Sequence, residues 1–80
     1  MTELYNEELF IDNFAKEIRR KRKEKSLSLN ELEEITGISA SLIARIENKQ
    51  SKNLGITVSF KLSNILKINI LQIIEASKQK

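Results

Sequence analysis

Arg19, Arg20, Lys21, Arg22 and Lys23 form an unbroken run of five cations in a chain of 80 residues. Two readings of such a run compete. It is the solvated face of a helix, or it faces phosphates, because each Lys or Arg that neutralises a phosphate releases condensed counterions. The net charge of +3 understates the asymmetry. Residues 1–14 hold Glu3, Glu7, Glu8 and Asp12 without a single base, so the rest of the chain carries +7. Other chemistries fail on inventory. There is no His and no Cys. Zinc therefore has no ligand set, and neither an imidazole base nor a disulfide is available. Glu33 and Glu34 are adjacent and point to different faces of a helix, which makes them poor catalytic partners. No glycine-rich phosphate loop stands out. The expectation is a protein that is not an enzyme and takes no metal and no cofactor.

The elements that must position these charges are helical. Proline is absent, and glycine occurs only as Gly37 and Gly55. Phe10, Phe14 and Ile18 recur at i, i+4 and i+8, flanked by Ile11 and Ala15, which predicts a helix from about Asn6 to Lys25. Leu4 and Tyr5 can extend its stripe backwards. Leu27 is an apolar anchor in a short connection. Ser28 and Glu31 fit a capping box, opening a second helix to about Thr36 that buries Leu32 and Ile35. Gly37 is a helix stop, since glycine adopts positive φ without a Cβ penalty. Ser39 is an N-cap candidate for a third helix with Leu42, Ile43 and Ile46 inward and Ala40, Ser41, Ala44 and Arg45 outward.

Asn48 to Gly55 is polar and reads as a loop. A fourth helix covers about Ile56 to Leu66, with Ile56, Phe60, Leu62 and Ile65 or Leu66 inward. Asn69 interrupts. A fifth helix from about Ile70 to Ser77 uses Leu71, Ile73 and Ile74, and the tail from residue 77 to 80 is expected to fray. A chain this short buries only about 60% of its unfolded surface, so its core is thin. No apolar run approaches the roughly 18 residues of a membrane span. The first 14 residues lack the cations of a signal peptide, and a reducing cytoplasm is the expected location.

Two short helices joined by a tight glycine turn make a helix-turn-helix, roughly Leu29 to Asn48. Its first helix braces the second, whose N-terminal outward residues reach base edges. The framework this needs is present as Leu32, Gly37, Ile38, Ile43 and Ile46. An ordinary helical hairpin is the competing reading.

The stretch LSLNELEEITGISASLIARIEN resembles the phage repressor and Cro-like family, also called Xre-type regulators. IRRKRKEKS before it resembles the family's first helix, and SFKLSNILKINILQII after it resembles the fourth and fifth. The resemblance spans about residues 15–76. It implies an all-α, compact five-helix bundle of the lambda-repressor-like type, here with residues 1–14 extending helix one. It further implies a homodimer on double-stranded DNA at a palindromic operator, and transcriptional control, often repression.

The resemblance also sorts individual positions. Ala40, Ser41, Ala44 and Arg45 fall where relatives face bases. Arg45 is the direct reader, because a guanidinium can bond both O6 and N7 of guanine; its alternatives are a phosphate contact or a surface salt bridge. Ser28 and Ser39 match phosphate-contacting helix N-termini, and Asn48, Lys49 and Lys52 match backbone contacts. Glu47 is expected to pair with a cation on helix one. Relatives dimerise through helices four and five, which makes Ile65, Ile68, Ile70, Leu71 and Ile74 the candidate seam; the alternative is that all are core.

Several positions depart from the family pattern. Leu29 replaces a common glutamine that touches phosphate. Glu33 replaces alanine at the helix crossing, so either the crossing widens or the stem bends outward. Lys21 replaces an apolar residue, and its stem can snorkel. Ser26 stands where glycine is common, and Leu54 where proline is. Residues 1–14 can pack on the domain's own core, cover a dimer seam, or merely lengthen helix one, with their acidic face turned from DNA. Leu29, Glu33 and a third helix with two outward alanines favour a second reading, a protein-interaction adaptor without operator recognition; a third reading is the antidote partner of a small toxin, binding both DNA and protein.

Overall fold

Four of the five helices begin at a side chain that replaces the acceptor their first backbone N–H groups lack. A computed structural model describes residues 4–51 and 54–79. Its elements are β1 (Leu4–Tyr5), α1 (Glu7–Glu24), α2 (Leu29–Thr36), α3 (Ala40–Glu47), α4 (Ile56–Leu66), α5 (Ile70–Ala76) and β2 (Lys78–Gln79). Asn6 Oδ1 accepts from the Leu9 N–H at 3.0 Å, Ser39 Oγ from Leu42 at 3.1 Å, and Asn69 Oδ1 from Gln72 at 3.2 Å. Ser28 and Glu31 complete the expected capping box, at 3.0 and 2.8 Å. Helix α4 starts at Gly55 with no side-chain cap.

The α1 stripe is the spine of the core. Phe14, Ala15 and Ile18 are fully buried, and Phe10 stacks on Phe14 with ring centroids 5.5 Å apart. Around them pack Leu32, Ile38, Ile43, Ile46, Leu62, Leu66, Ile68 and Ile73. Helix α1 touches α3, α4 and α5, and α2 packs on α3. Of the roles open to the N-terminal segment, packing on the domain's own core is what residues 6–14 do. Residues 1–3 lie outside the described residues.

Four apolar side chains expected inside are turned out. Ile35 is exposed because Leu29, Leu32 and Thr36, at i, i+3 and i+7, form the inward face of α2 and leave Ile35 at its edge. On α4 the buried row is Ser59, Leu62, Ser63 and Leu66. That row rotates Ile56 and Phe60 into solvent, at 70% and 59% exposure. Leu71 is 76% exposed, since α5 buries Ile73 instead.

The tail expected to fray is tied down. Leu4 pairs with Gln79 and Tyr5 with Lys78 in an antiparallel two-stranded ladder. Ser77 is fully buried. Its hydroxyl donates to the Ile73 carbonyl at 2.6 Å and accepts from Asn13 Nδ2 at 3.2 Å, while its carbonyl accepts from the Asn6 N–H at 3.1 Å. These bonds join the start of α1 to the end of α5.

Gly37 has φ 76° and ends α2 as a left-handed cap, its N–H donating to the Glu33 carbonyl at 2.7 Å. A Cβ there would meet nothing within 4 Å. Gly37→Ala is therefore a backbone cost alone, expected at about 1–2 kcal/mol. A urea titration should show a lower midpoint with an unchanged slope. Ser26, where glycine is common among relatives, sits at φ 55°, which accounts for that preference.

Candidate nucleic-acid interface

The turn between α2 and α3 is closed by a hydroxyl as well as by Gly37. Thr36 Oγ1 donates to the Leu32 carbonyl at 2.7 Å and accepts from the Ile38 N–H at 3.1 Å. Leu32, Ile38, Ile43 and Ile46 are all buried. Helix α3 thus has a fixed inner face, and its outer face carries half-buried Ala40 and Ala44 with exposed Ser41 and Arg45. Among the described residues, none makes an ion pair or hydrogen bond with the Arg45 guanidinium. The Ser39 hydroxyl already accepts from Leu42 and keeps its own proton to donate.

The far end of α3 is clamped to α1. Arg22 Nε and Nη2 donate to the two Glu47 carboxylate oxygens at 2.6 and 2.9 Å, and Nη1 donates to the Leu27 carbonyl at 2.9 Å. The side chains are only 12% and 5% exposed. The bond to Glu47 pushes the Arg22 pKa up from an already high value. Glu47 therefore has the helix-one partner expected of it.

The same clamp removes Arg22 from any phosphate-facing patch. Successive helical residues turn by about 100°, so five consecutive cations cannot share one face. Arg20 bonds Glu17 at 2.7 and 3.0 Å and Glu24 at 3.2 Å. That contact holds the Glu17 carboxyl below its usual range. Lys21 lies 4.0 Å from Glu24. Arg19 and Lys23 are left pointing into solvent. The run is mostly a salt-bridged, solvated surface.

Both helix N-termini expected to attract phosphate already hold a carboxylate. Glu31 Oε1 accepts from the Ser28 N–H, which lowers the Glu31 pKa. Glu33 Oε1 accepts from the Ala40 N–H at 2.7 Å. Glu33 is exposed, and its carboxylate reaches across the turn to the start of α3. Leu29 packs against the core rather than toward a ligand. Asn48 and Lys49 are exposed just after α3, but Lys49 Nζ lies 3.8 Å from Asp12 Oδ1. Asp12, from the acidic segment of α1, thus sits beside the residue that follows the α3 cap. Lys52 lies outside the described residues.

The candidate seam divides. Ile68 is 7% exposed and belongs to the core, and Ile65 packs against it. Ile70 and Ile74 are half-buried, and Leu71 stands out. Phe60, missed by a periodicity that placed it inward, stands exposed on the same face. Phe60, Ile70 and Leu71 line an open groove of about 660 Å³ between α4 and α5, rimmed by Lys61 and Lys67. The buried Ser63 hydroxyl beside it has no hydrogen-bond partner among the described residues.

A family model described as helix-turn-helix matches residues 18–73, well over half of the chain. No curated protein and no solved structure matches it. Among the described residues, no helix is long and apolar enough to cross a membrane.

Proposed function

We propose that this chain, which belongs to the helix-turn-helix family of Cro-like, Xre-type DNA-binding domains, represses transcription as a homodimer at a palindromic operator. The family is non-enzymatic and binds DNA. The observation that carries the proposal is the outer face of α3, where exposed Arg45, without a partner among the described residues, stands beside Ser41 on a helix fixed at both ends. In the dimer two such helices enter successive major grooves about 34 Å apart and obstruct polymerase. Ala40 and Ala44 offer only apolar contact, for instance to a thymine methyl group. Phosphate contacts come from Asn48, Lys49 and Lys52 after α3, since Glu31 and Glu33 already occupy the helix N-termini at Ser28 and Ser39. With so few base contacts, part of the specificity rests on DNA shape and half-site spacing.

The test is selection of bound duplexes from a random pool at two salt concentrations. A palindromic motif should be enriched at both, with affinity falling steeply as salt rises. A pool left unenriched even at low salt would remove the proposal.

One set of observations favours the adaptor reading: Glu31, Glu33 and Asp12 each hold a group that a phosphate would otherwise take. An adaptor of this fold would bind no duplex at low salt.

For the dimer, exposed Leu71 and Phe60 on the α4–α5 face are the proposed centre, flanked by Ile65, Ile70 and Ile74. Leu71→Lys should leave the fold intact, because the side chain is 76% exposed. It should shift sedimentation from dimer to monomer and weaken operator binding at least tenfold, as paired half-sites are lost. A wild-type chain that sediments as a monomer at tens of micromolar would contradict the seam.

A further inference from the structure

We propose that Glu33 is itself a base-reading residue, selecting cytosine through the carboxylate oxygen left free at the tip of α3. The proposal rests on the reading that α3 enters the major groove. A recognition helix reaches base edges with its N-terminal residues. In this chain those residues, Ala40 and Ser41, are too short to reach far past the helix end themselves. At that end lies the Glu33 carboxylate, which α2 sends across the turn and the Ala40 N–H anchors at 2.7 Å. The anchor matters because a long side chain otherwise loses rotamer freedom when it binds. Here the ordering is already done in the free domain, and the helix dipole favours a negative charge at this end.

The chemistry of an anchored carboxylate selects among bases. An ionised carboxylate only accepts hydrogen bonds, and Oε1 uses one lone pair on Ala40. In the major groove guanine presents two acceptors and thymine one, so both repel the charge. Adenine offers its N6 donor beside the N7 acceptor. Cytosine offers the N4 donor and no acceptor of its own, so it is the base that fits. A phosphate in the same place would be repelled. Glu33 therefore also discriminates against registers that bring the backbone to the tip of α3. This reading gives a use to the glutamate that stands where relatives have alanine.

The experiment compares wild type, Glu33→Gln and Glu33→Ala in the random-duplex selection and in titrations of the four single-base variants of the selected site. The wild-type motif should contain a cytosine in each half-site. Glu33→Gln keeps an oxygen to accept from Ala40 and supplies a donor, so the preference should move toward adenine, which a glutamine amide can pair bidentately. The cytosine-to-adenine ratio should fall by about tenfold or more, the scale of one base contact. Glu33→Ala should erase the preference at that position. An unchanged motif in both variants would reduce Glu33 to a helix cap. A uniform affinity gain on every duplex would make it a phosphate repellent. Either result overturns the proposal while leaving operator binding in place. A wild-type chain that enriches no motif overturns operator recognition itself, and this inference falls with it.

Discussion

Glu47→Ala is expected to destabilise the domain by about 3 kcal/mol, the lower end of what removing one partner of a buried ion pair costs. The Glu47 and Arg22 side chains are 5% and 12% exposed and doubly hydrogen-bonded. Without Glu47, the Arg22 guanidinium stays half-enclosed with only the Leu27 carbonyl for company. The penalty is that stranded charge rather than the strength of the pair. A domain of this length has a total stability of about 4–12 kcal/mol, so much of it would go. Urea titrations of Glu47→Ala, Arg22→Ala and the double variant Arg22→Leu with Glu47→Leu would separate the terms. The double variant should lose less than the two alanine changes summed. A loss under about 1 kcal/mol for Glu47→Ala would mean that water already solvates the pair, as at surface bridges. The clamp joins α1 to the last turn of α3. Operator affinity should therefore fall further than the unfolded fraction alone explains.

Arg45→Ala should leave stability unchanged and cost about 1–3 kcal/mol in binding, concentrated at a single guanine. Stability is spared because the Arg45 side chain is exposed and unpaired among the described residues. The binding loss is local because the guanidinium fork matches O6 and N7 of one base. A phosphate contact behaves differently: its removal weakens all sequences alike and lowers the salt slope by about one. Arg45→Lys sharpens the distinction. It retains the charge and loses the fork, so the salt slope should persist while guanine preference declines. Equal loss on all duplexes for Arg45→Ala would move Arg45 from the bases to the backbone.

Local rules made the framework legible before any coordinates. The capping box at Ser28, the left-handed Gly37 and the cap at Ser39 involve residues within a turn of one another, and short-range chemistry decides them; the caps at Asn6 and Asn69 are as local but emerge only in the structure. The stripe Phe10–Phe14–Ile18 was long enough to set its own face. Where the inward row contains small polar residues, hydropathy misleads. Ser59 and Ser63 take the core side of α4, and Phe60 is displaced outward. The site was less legible for a related reason. Whether a charge faces DNA depends on which opposite charge reaches it first. Arg22 is claimed by Glu47, Arg20 by Glu17 and Lys49 by Asp12, and two of these three pairings cross between elements. The Ala40–Glu33 bond likewise joins residues seven apart across a turn, beyond the reach of helical spacing.

The ladder between β1 and β2 has a topological consequence. Leu4 lies opposite Gln79, so the described chain enters and leaves through a neck only about 5 Å wide. The two ends of the described chain therefore lie side by side. A peptide of a few residues across that neck would make the backbone a circle without moving any helix. Such a circle would confine the unfolded chain far more than the folded one. By the same geometry the domain can be spliced into a surface turn of a host protein, whose own strands would need to part by scarcely one residue's breadth to receive it.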